Sequence, residues 1–307
     1  MGATRMALFL VGCTASGKTA VANAIARETG TLVLSADSML VYRGMDVGTA
    51  KPTAAELSGV ELRGVDLADP DEPFSAGRWL EAARTAFAEA AAAGRSVIVA
   101  GGTGLYVSAL LRGLDTREAD PVRRAELEAE LKRDGVDAML ARIEAAKPGA
   151  TAAVDAKNPR RVLRLAEIVL DRSHAEGVEG LVGLEFPTER LNERIERRAR
   201  AMFEGGLLDE VRRLCERFPG FEKSTAGAGI GYAEALAALR GEIAVEEAIE
   251  RTAARTRRLA KKQRTWWRHQ ARVDWVRGPA DEADVARAAR DVREAWRKHG
   301  ETIVRGV

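Results

Sequence analysis

The chain has 307 residues, of which 46% are hydrophobic, so it can bury a sizeable core in one elaborated domain or in two closely joined ones. Charged residues make up 31% of the chain, but the formal net charge is only +2. The total charge therefore does not indicate a nucleic-acid partner, and only a clustered distribution of cations would do so.

Composition also argues against two other classes of protein. The two cysteines, Cys13 and Cys215, form no C-x-x-C pair, which argues against a disulfide framework and a zinc site and fits a reducing compartment. No apolar run is long enough to span a membrane, and residues 1–5 are too short for a signal segment. We therefore expect a cytoplasmic protein with no membrane partner.

The first predicted element is a strand at residues 7–11, which leads into a glycine-rich loop and then into a helix at 19–29. The loop, here called the cradle, has the complete pattern G-x-x-x-x-G-K-T. Its glycines let backbone N–H groups turn inward around phosphate oxygens, its lysine adds positive charge, and its threonine hydroxyl can hold Mg²⁺. This order of elements predicts a site for a polyphosphate or a pyrophosphate. The candidate residues are Gly12, Cys13, Thr14, Ala15, Ser16, Gly17, Lys18 and Thr19, with Thr19 as the candidate metal ligand.

A second strand is predicted at residues 31–34, and Asp37 follows it. Three interpretations of this carboxylate stay open: it holds Mg²⁺, it acts as a general base on a nucleophile beside the phosphate, or it caps a turn or helix. The loop at 41–52 is dense in Gly, Lys, Arg and Asp. Its Arg43 and Lys51 either contact phosphate or are solvated surface cations.

A third strand is predicted at residues 96–100, after a helix at 75–93. This alternation of strands and helices predicts an α/β domain with a parallel sheet. A nucleoside-triphosphate hydrolase usually has a metal-binding aspartate after this strand, but here the chain continues with two glycines and Thr103. A hydroxyl replaces the carboxylate, which weakens the interpretation as an ordinary ATPase.

The rest of the chain is mainly helical in pattern. Ala, Glu, Arg and Leu at helical spacing predict an inserted helical subdomain at residues 115–181, and an apolar run at 182–186 returns the chain to the sheet. Residues 1–114 and 182–307 are then expected to form the core. Helices are predicted at 188–202, 207–218, 232–239, 245–270 and 282–299.

The helix at 245–270 carries the strongest indication of a partner. From Arg251 to Arg272 the chain has cations on two stripes, no carboxylate, and a pair of tryptophans. Solvated faces usually mix both signs of charge, so the pattern favours a nucleic-acid backbone over a solvated or membrane-lying helix. Two further clusters of arginine either bind RNA or are solvated helix faces. They are Arg160, Arg161 and Arg164, and then Arg190, Arg194, Arg197, Arg198 and Arg200.

Three motifs together resemble those of the bacterial tRNA dimethylallyltransferases. They are the cradle, the string from Ser35 to Pro52 (S-A-D-S-M-L-V-Y-R-G-M-D-V-G-T-A-K-P), and Gly101 to Tyr106. The long string is highly specific, whereas the cradle alone is not. The resemblance covers most of the chain and extends to the segments 158–164, 231–232 and 256–266.

This resemblance implies a P-loop NTPase-like parallel sheet core, an inserted helical subdomain that contacts tRNA, and a helical C-terminal region. It implies transfer of a dimethylallyl group from dimethylallyl diphosphate to N6 of adenine 37 in tRNAs that read codons beginning with U, with Mg²⁺ as cofactor. Asp37 would remove the N6 proton, and Thr103 would position base and substrate. We expect a monomer. Residues implied to contact tRNA are Asp37, Ser38, Met39, Leu40, Arg124, Arg160, Arg161, Val162, Leu163, Arg164, Arg257 and Lys261.

The chain departs from the family pattern beside Gly231, because it has Ala228 and Ala233 near positions where relatives usually carry Gln, Lys or Arg. Two other functions also fit part of the pattern. A small-molecule kinase would use the cradle and Asp37 for phosphoryl transfer, and an RNA-binding switch would bind tRNA without changing it. Prenylated adenosine as a product would distinguish the transferase from both.

Overall fold

The protein is described from a computed structural model, which covers residues 5–112, 121–156, 158–170, 178–299 and 302–304. The predicted domain boundary between residues 114 and 115 lies outside these ranges. Among the described residues, no helix is both long enough and apolar enough to cross a bilayer.

A sheet of six parallel strands forms the centre of the fold, with strand order β3-β2-β4-β1-β5-β6. The short β7 pairs antiparallel with β1. The α/β class with a parallel sheet is therefore confirmed. The strands are β1 (Arg5–Gly12), β2 (Leu32–Ala36), β3 (Leu62–Arg63), β4 (Val97–Gly101), β5 (Val178–Glu185), β6 (Ala271–Arg277) and β7 (Thr302–Val304).

Helices follow most of the strands and make up most of the remaining chain. The predicted helices at 232–239 and 245–270 have the observed bounds, and the others differ by a few residues at their ends. The helices are α1 (Lys18–Thr29), α2 (Ala76–Ala92), α3 (Gly104–Arg112), α4 (Pro121–Ala146), α5 (Pro159–Leu170), α6 (Thr188–Glu204), α7 (Leu207–Arg217), α8 (Tyr232–Leu239), α9 (Val245–Gln270) and α10 (Val285–His299).

The central strands are apolar at successive positions because helices cover both faces of the sheet. On one face, Val21 and Ile25 of α1 and Trp296 of α10 pack with residues of β1 and β5 in one buried cluster. The indole N–H of Trp296 donates to the carbonyl of Phe9 at 3.1 Å, so this buried polar group is satisfied. The strand that feeds the cradle is thereby held between neighbouring strands and a helix layer.

The chain divides into two compact units, one from Met1–Gly113 with Gly177–Val307 and one from Leu114–Glu176. The second unit has its own apolar core, in which α4 packs against α5 through residues that include Leu127, Ile143 and Ala166. Val162 and Leu163 belong to this core and are buried. Their inclusion among the tRNA contacts was wrong for their side chains, because α5 turns them inward while Arg160, Arg161 and Arg164 stay exposed.

Candidate active site

Three loops meet at the carboxyl edge of the sheet, where open α/β sheets bind ligands. The order β2-β4-β1 brings together Asp37 after β2, Thr103 after β4 and the cradle after β1. The Ser38 N–H donates to Thr103 Oγ1 at 3.0 Å, and the Thr103 N–H donates to the Ala36 carbonyl at 3.0 Å. These two hydrogen bonds join the loop that carries Asp37 to the loop that carries Thr103.

The Asp37 side chain is already oriented in the structure. Its Oδ1 accepts a hydrogen bond from the Met39 N–H at 2.9 Å, an arrangement that closes a turn and fixes the carboxylate. The turn-capping interpretation is therefore correct for one oxygen. Among the described residues no hydrogen bond is made to Oδ2, so this oxygen is available to a ligand.

The cradle has the backbone that its glycines permit. Gly12 and Gly17 have φ of 143° and 86°, and Ala15 also has a positive φ of 63°. A β-carbon on Gly12 would lie 2.8 Å from the Leu184 carbonyl oxygen of β5, so only glycine fits there. Helix α1 begins at Lys18 and directs its N-terminal N–H groups at the cradle.

Lys18 has no carboxylate as a hydrogen-bond partner among the described residues. Its ammonium donates to the Cys13 carbonyl at 2.6 Å. Burial lowers the pKa of Lys18 to about 8, the nearby Asp37 acts in the opposite direction, and the positive charge of Arg198 adds to the lowering. A cation held in this way gains stability when an anion enters the cradle.

Arg198 of α6 is a second cation near the cradle and Asp37. One of its guanidinium N–H groups donates to the Thr49 carbonyl at 2.8 Å, and the residue lines the cavity described below. Burial lowers the pKa of Arg198, and Asp37 opposes this change. One turn earlier, Arg194 donates to the Pro279 carbonyl at 2.8 Å, beside Gly17. The cradle is therefore bordered by several cations.

Gln263 connects the cradle to α9. Its Oε1 accepts from the Thr14 N–H at 2.8 Å, and its Nε2 donates to the Gly102 carbonyl at 3.2 Å. The Cys13 thiol donates to the Ala260 carbonyl of the same helix at 3.3 Å. One face of α9 therefore contacts both the cradle and the loop after β4.

A cavity of about 400 Å³ opens beside these groups. This volume is within the range that small-molecule sites usually have. Thr14, Asp37 and Thr103 line it, together with an apolar surface from other elements. The apolar lining residues are Met39, Ile195, Ala199, Met202, Ala228, Ile230 and Leu259. Polar groups that suit a charged reacting centre thus adjoin a surface that suits an aliphatic group.

The long loop at 41–52 does not present its cations to a phosphate. The Lys51 ammonium contacts the Tyr42 carbonyl, Asp46 and Asp66 at 3.0, 2.6 and 2.7 Å. Arg43 pairs with Asp69 at 3.0 Å. The Lys51 side chain is only 9% exposed and fixes the shape of the loop, so the alternative of a phosphate contact is not supported for either residue.

The basic face of α9 is divided between paired and exposed cations. Arg257 pairs with Glu196 at 2.7 Å, and Arg255 pairs with the buried Glu234 at 2.6 Å. Lys261 has no carboxylate partner among the described residues and is exposed. The same holds for Arg258, Lys262 and Arg268. The cation-rich surface expected from the sequence is present, although Arg257 contributes less free charge than Lys261.

In the described part of the second unit, the arginines are exposed but mostly paired. Arg124 lies 2.9 Å from Glu128, Arg161 lies 3.3 Å from Asp155, and Arg164 lies 2.8 Å from Glu167. Such surface pairs are weak and can exchange a carboxylate for a phosphate.

A magnesium site made only of protein groups is not found in the described part of the chain, which has no cluster of three or more His, Cys, Asp or Glu side chains suited to a metal. Mg²⁺ usually keeps several waters and takes one or two protein ligands plus substrate phosphates. The exposed Thr19 hydroxyl in the first turn of α1 fits this mode.

Sequence reasoning named Arg198 only as one of a cluster of arginines, and it missed Gln263 and Glu210, the last of which anchors a wall of the cavity. Arg194 and Arg198 each precede a residue of the buried stripe Leu191, Ile195, Ala199 and Phe203 of α6. This buried stripe could have identified the two arginines, because side chains at the edge of a buried helix face point toward neighbouring elements. For Gln263 the only signal was its place among the packing residues of a basic helix.

Comparison with known proteins agrees with this geometry. The family model described as IPP transferase matches residues 40–270. A tRNA dimethylallyltransferase of Anaeromyxobacter dehalogenans (strain 2CP-C) is 46% identical over 296 residues, which are 92% of this chain and 98% of the relative. One of Deinococcus radiodurans is 37% identical over 288 residues, 90% of this chain and 94% of the relative.

Solved structures show the same fold. The full-length tRNA isopentenylpyrophosphate transferase of Bacillus halodurans has a TM-score of 0.70 and 35% identity, and the match covers 96% of this chain and 97% of that one. A eukaryotic dimethylallyltransferase acting on tRNA has a TM-score of 0.73 at 20% identity, with 96% and 80% covered, and supports the fold alone. With its cradle, its Asp37 and Thr103 loops and these relatives, the chain belongs to the IPP transferase family.

Proposed function

We propose that this protein transfers a dimethylallyl group from dimethylallyl diphosphate to N6 of an adenine in tRNA, namely adenine 37 of tRNAs that read codons beginning with U. The observation that carries the proposal is one cavity that joins a phosphate cradle, the carboxylate of Asp37 and an apolar wall. The relatives named above as tRNA dimethylallyltransferases support the choice of substrate.

The cradle suits a diphosphate that leaves with negative charge. Its inward N–H groups, Lys18 and Arg198 supply preorganised positive potential where that charge develops. The Thr19 hydroxyl would hold Mg²⁺, which when bound offsets charge on the diphosphate. No γ-phosphate has to be hydrolysed, and this fits the hydroxyl of Thr103 in place of a metal-binding aspartate after β4.

The reaction needs a base because an exocyclic amine is a poor nucleophile. The N6 nitrogen forms a bond to C1 of the dimethylallyl group, the C1–O bond breaks, and the diphosphate keeps the electron pair. The N6 proton passes to Asp37, whose Oδ1 is fixed by the Met39 N–H while Oδ2 is open. A positioned base typically contributes about 10²- to 10⁴-fold. The Thr103 hydroxyl accepts from Ser38 N–H and keeps its own hydrogen for the ligand.

The tRNA would bind along the exposed cations of α9, which adjoin the loop after β4. The target adenine has to leave its stack to reach Asp37, at a cost of a few kcal/mol. Ionic contacts between the phosphates of the tRNA backbone and cations such as Lys261 and Lys262 would offset that cost. Every group in this scheme belongs to a single chain, so we propose that it acts as a monomer. Because tRNA is used in the cytoplasm, we propose that location.

The test is to incubate the protein with unmodified tRNA, Mg²⁺ and labelled dimethylallyl diphosphate, and to search nuclease digests by mass for prenylated adenosine. A parallel reaction with ATP measures phosphoryl transfer. We expect prenylated adenosine and no ATP turnover. ATP turnover without prenylation would support a kinase, and tRNA binding without either product would support a binding switch.

A further inference from the structure

Glu210 of α7 is a buried carboxylate that the proposed reaction does not use. It is only 3% exposed. Its Oε2 accepts from the N–H groups of Asp46 and Val47 at 3.0 and 2.7 Å. Its Oε1 accepts from the Gly48 N–H at 3.2 Å and from the Tyr232 hydroxyl at 2.7 Å. No cation pairs with it among the described residues, so these four donors hold the carboxylate in place of water.

The donors belong to two motifs whose roles the reaction leaves unassigned. Three come from the M-D-V-G-T part of the long loop, and the fourth comes from the Gly231-Tyr232 turn that begins α8. A β-carbon on Gly48 would lie 2.5 Å from the Tyr232 ring, so the ring packs directly on the loop backbone. Burial and then the Glu210 charge raise the pKa of Tyr232, which keeps its hydroxyl a donor.

This arrangement forms a wall of the cavity and reaches the diphosphate end. Gly48, Thr49 and Tyr232 all line the cavity. The Thr49 carbonyl accepts the 2.8 Å hydrogen bond from Arg198 that orients its guanidinium. The three backbone donors therefore tie the segment 46–48 to α7, and the carbonyl of the next residue, Thr49, holds the Arg198 cation beside the cradle.

The fold of the loop itself does not depend on Glu210 alone. Lys51 joins the Tyr42 carbonyl, Asp46 and Asp66, and the Thr49 hydroxyl donates to the Met45 carbonyl at 2.6 Å. These bonds lie within the loop and its continuation. Glu210 differs from them because it fixes the loop against α7 and α8, and thereby sets where the Thr49 carbonyl meets α6.

We infer that Glu210, with the Tyr232 hydroxyl as its partner, is a positioning residue that holds Arg198 in the orientation that binds the diphosphate. The inference rests on the proposed function, because it takes the cradle end of the cavity as the diphosphate site. Glu210 touches neither substrate in this scheme and acts only through the segment 46–49 and Arg198.

The test is a double-mutant cycle on the binding of inorganic pyrophosphate, measured by calorimetry with Mg²⁺ present. In Glu210→Gln the amide nitrogen cannot accept a hydrogen bond, so the donors on one oxygen lose their acceptor. We expect the Kd to rise about 10-fold, the size of a lost charge-assisted contact. In an Arg198→Ala background the same change should have no further effect, because the group it positions is absent.

Two comparisons separate positioning from general damage. Glu210→Gln in a Lys18→Ala background should still weaken binding about 10-fold, since Lys18 does not contact the loop. Trp296→Phe removes a different buried hydrogen bond, to the Phe9 carbonyl, and should lower Tm without changing the Kd. Tyr232→Phe removes one of the four donors to Glu210 and keeps the aromatic ring. If Glu210→Gln does not fold, the same pyrophosphate titrations are made with Tyr232→Phe.

An equal loss of binding with and without Arg198, or an unchanged Kd at reduced Tm, would overturn the inference and leave Glu210 a packing residue. These results are distinct from failure of the proposed function, which would appear as wild-type protein that binds no pyrophosphate and forms no prenylated adenosine.

Discussion

Lys18, which we propose binds the diphosphate, shows how such a residue can reduce the stability of the ligand-free protein. Among the described residues its ammonium hydrogen-bonds only to the Cys13 carbonyl, and burial lowers its pKa to about 8. The unfolded chain keeps this proton up to the ordinary value of 10.5. Between these two values the unfolded state holds more protons, so stability should rise with pH through this window.

We therefore predict that Lys18→Met stabilises the ligand-free protein at pH 7 by the order of 1 kcal/mol, a figure reduced for the partial exposure of the side chain. The variant should also lose the rise in stability between about pH 8 and 10.5. Urea unfolding at pH 7 and pH 9.5 measures both effects. A variant less stable than wild type at pH 7 would show that the buried charge is not costly.

The same pKa predicts how binding depends on pH. A diphosphate favours the charged ammonium, so affinity for pyrophosphate should fall as the pH rises through about 8. Calorimetric titrations from pH 7 to pH 9.5 test this. In Lys18→Met the affinity should be weak and nearly constant above pH 8, and a decline as steep as in wild type would assign the titration to another group.

Thr103 joins two loops, and we propose that its hydroxyl also contacts the ligand. Thr103→Val keeps the shape but removes the hydroxyl, so the Ser38 N–H loses its acceptor and the ligand loses a donor. We predict that kcat falls about 10- to 100-fold. Steady-state rates with saturating tRNA measure it. Thr103→Ser should recover most of the rate, and equal defects in both variants would point to the lost methyl group and not to the hydroxyl.

At the level of elements, α9 has two faces with different tasks. Gln263, Ala260 and the fully buried Trp267 face inward, where the first two contact the cradle. Lys261 and Lys262 face outward without carboxylate partners in the described ranges. One helix therefore adjoins both the cradle, where we propose that the diphosphate binds, and the surface proposed for tRNA.

This division predicts unequal effects of two cations that the sequence alone treats as equivalent. Lys261→Ala should weaken tRNA binding and reduce the slope of log K against log salt by about 1. Arg257→Ala should change the slope less, because Arg257 is paired with Glu196 at 2.7 Å. Filter binding from low to moderate salt gives both slopes. A flat slope for wild type would contradict the assignment of α9 to RNA.

Elements with strong local patterns were predictable, and those that depend on distant partners were not. The cradle, Asp37 and Thr103 each follow an apolar strand, so their meeting at the sheet edge could be expected. Strand β6 begins where α9 ends, with charged residues at alternate positions and no turn signal, and it was missed. Glu210 could not be identified because three of its four donors lie more than 160 residues away in sequence.

The error at Val162 and Leu163 has a specific cause. The contiguous block from Arg160 to Arg164 was assigned to RNA as a whole, although a helix turns successive side chains in different directions. Periodicity separates the two sets: the arginines are exposed, and Val162, Leu163 and Ala166 are buried. Motif resemblance identified the segment, and only the helical period could divide it.

At the level of the whole molecule, the cavity combines segments from most of the first unit. The loops after β1, β2 and β4, the segment 48–49, helix α6, the turn before α8 and helix α9 all contribute. The order of the strands brings the first three together, and long-range side-chain bonds from Gln263 and Glu210 hold other parts. In the proposed reaction, this cavity would hold the diphosphate that leaves and the apolar group that passes to the tRNA.

The most direct test of this account is Asp37→Asn, compared with wild type on the same unmodified tRNA, with product formation measured by mass and binding of tRNA and of pyrophosphate measured separately. The amide keeps the hydrogen bond from the Met39 N–H but cannot take the N6 proton. We predict that transfer falls at least about 10²-fold while both binding constants stay within a few-fold of wild type. Transfer at the wild-type rate, or a loss of pyrophosphate binding equal to the loss of transfer, would contradict the role of Asp37 as the base.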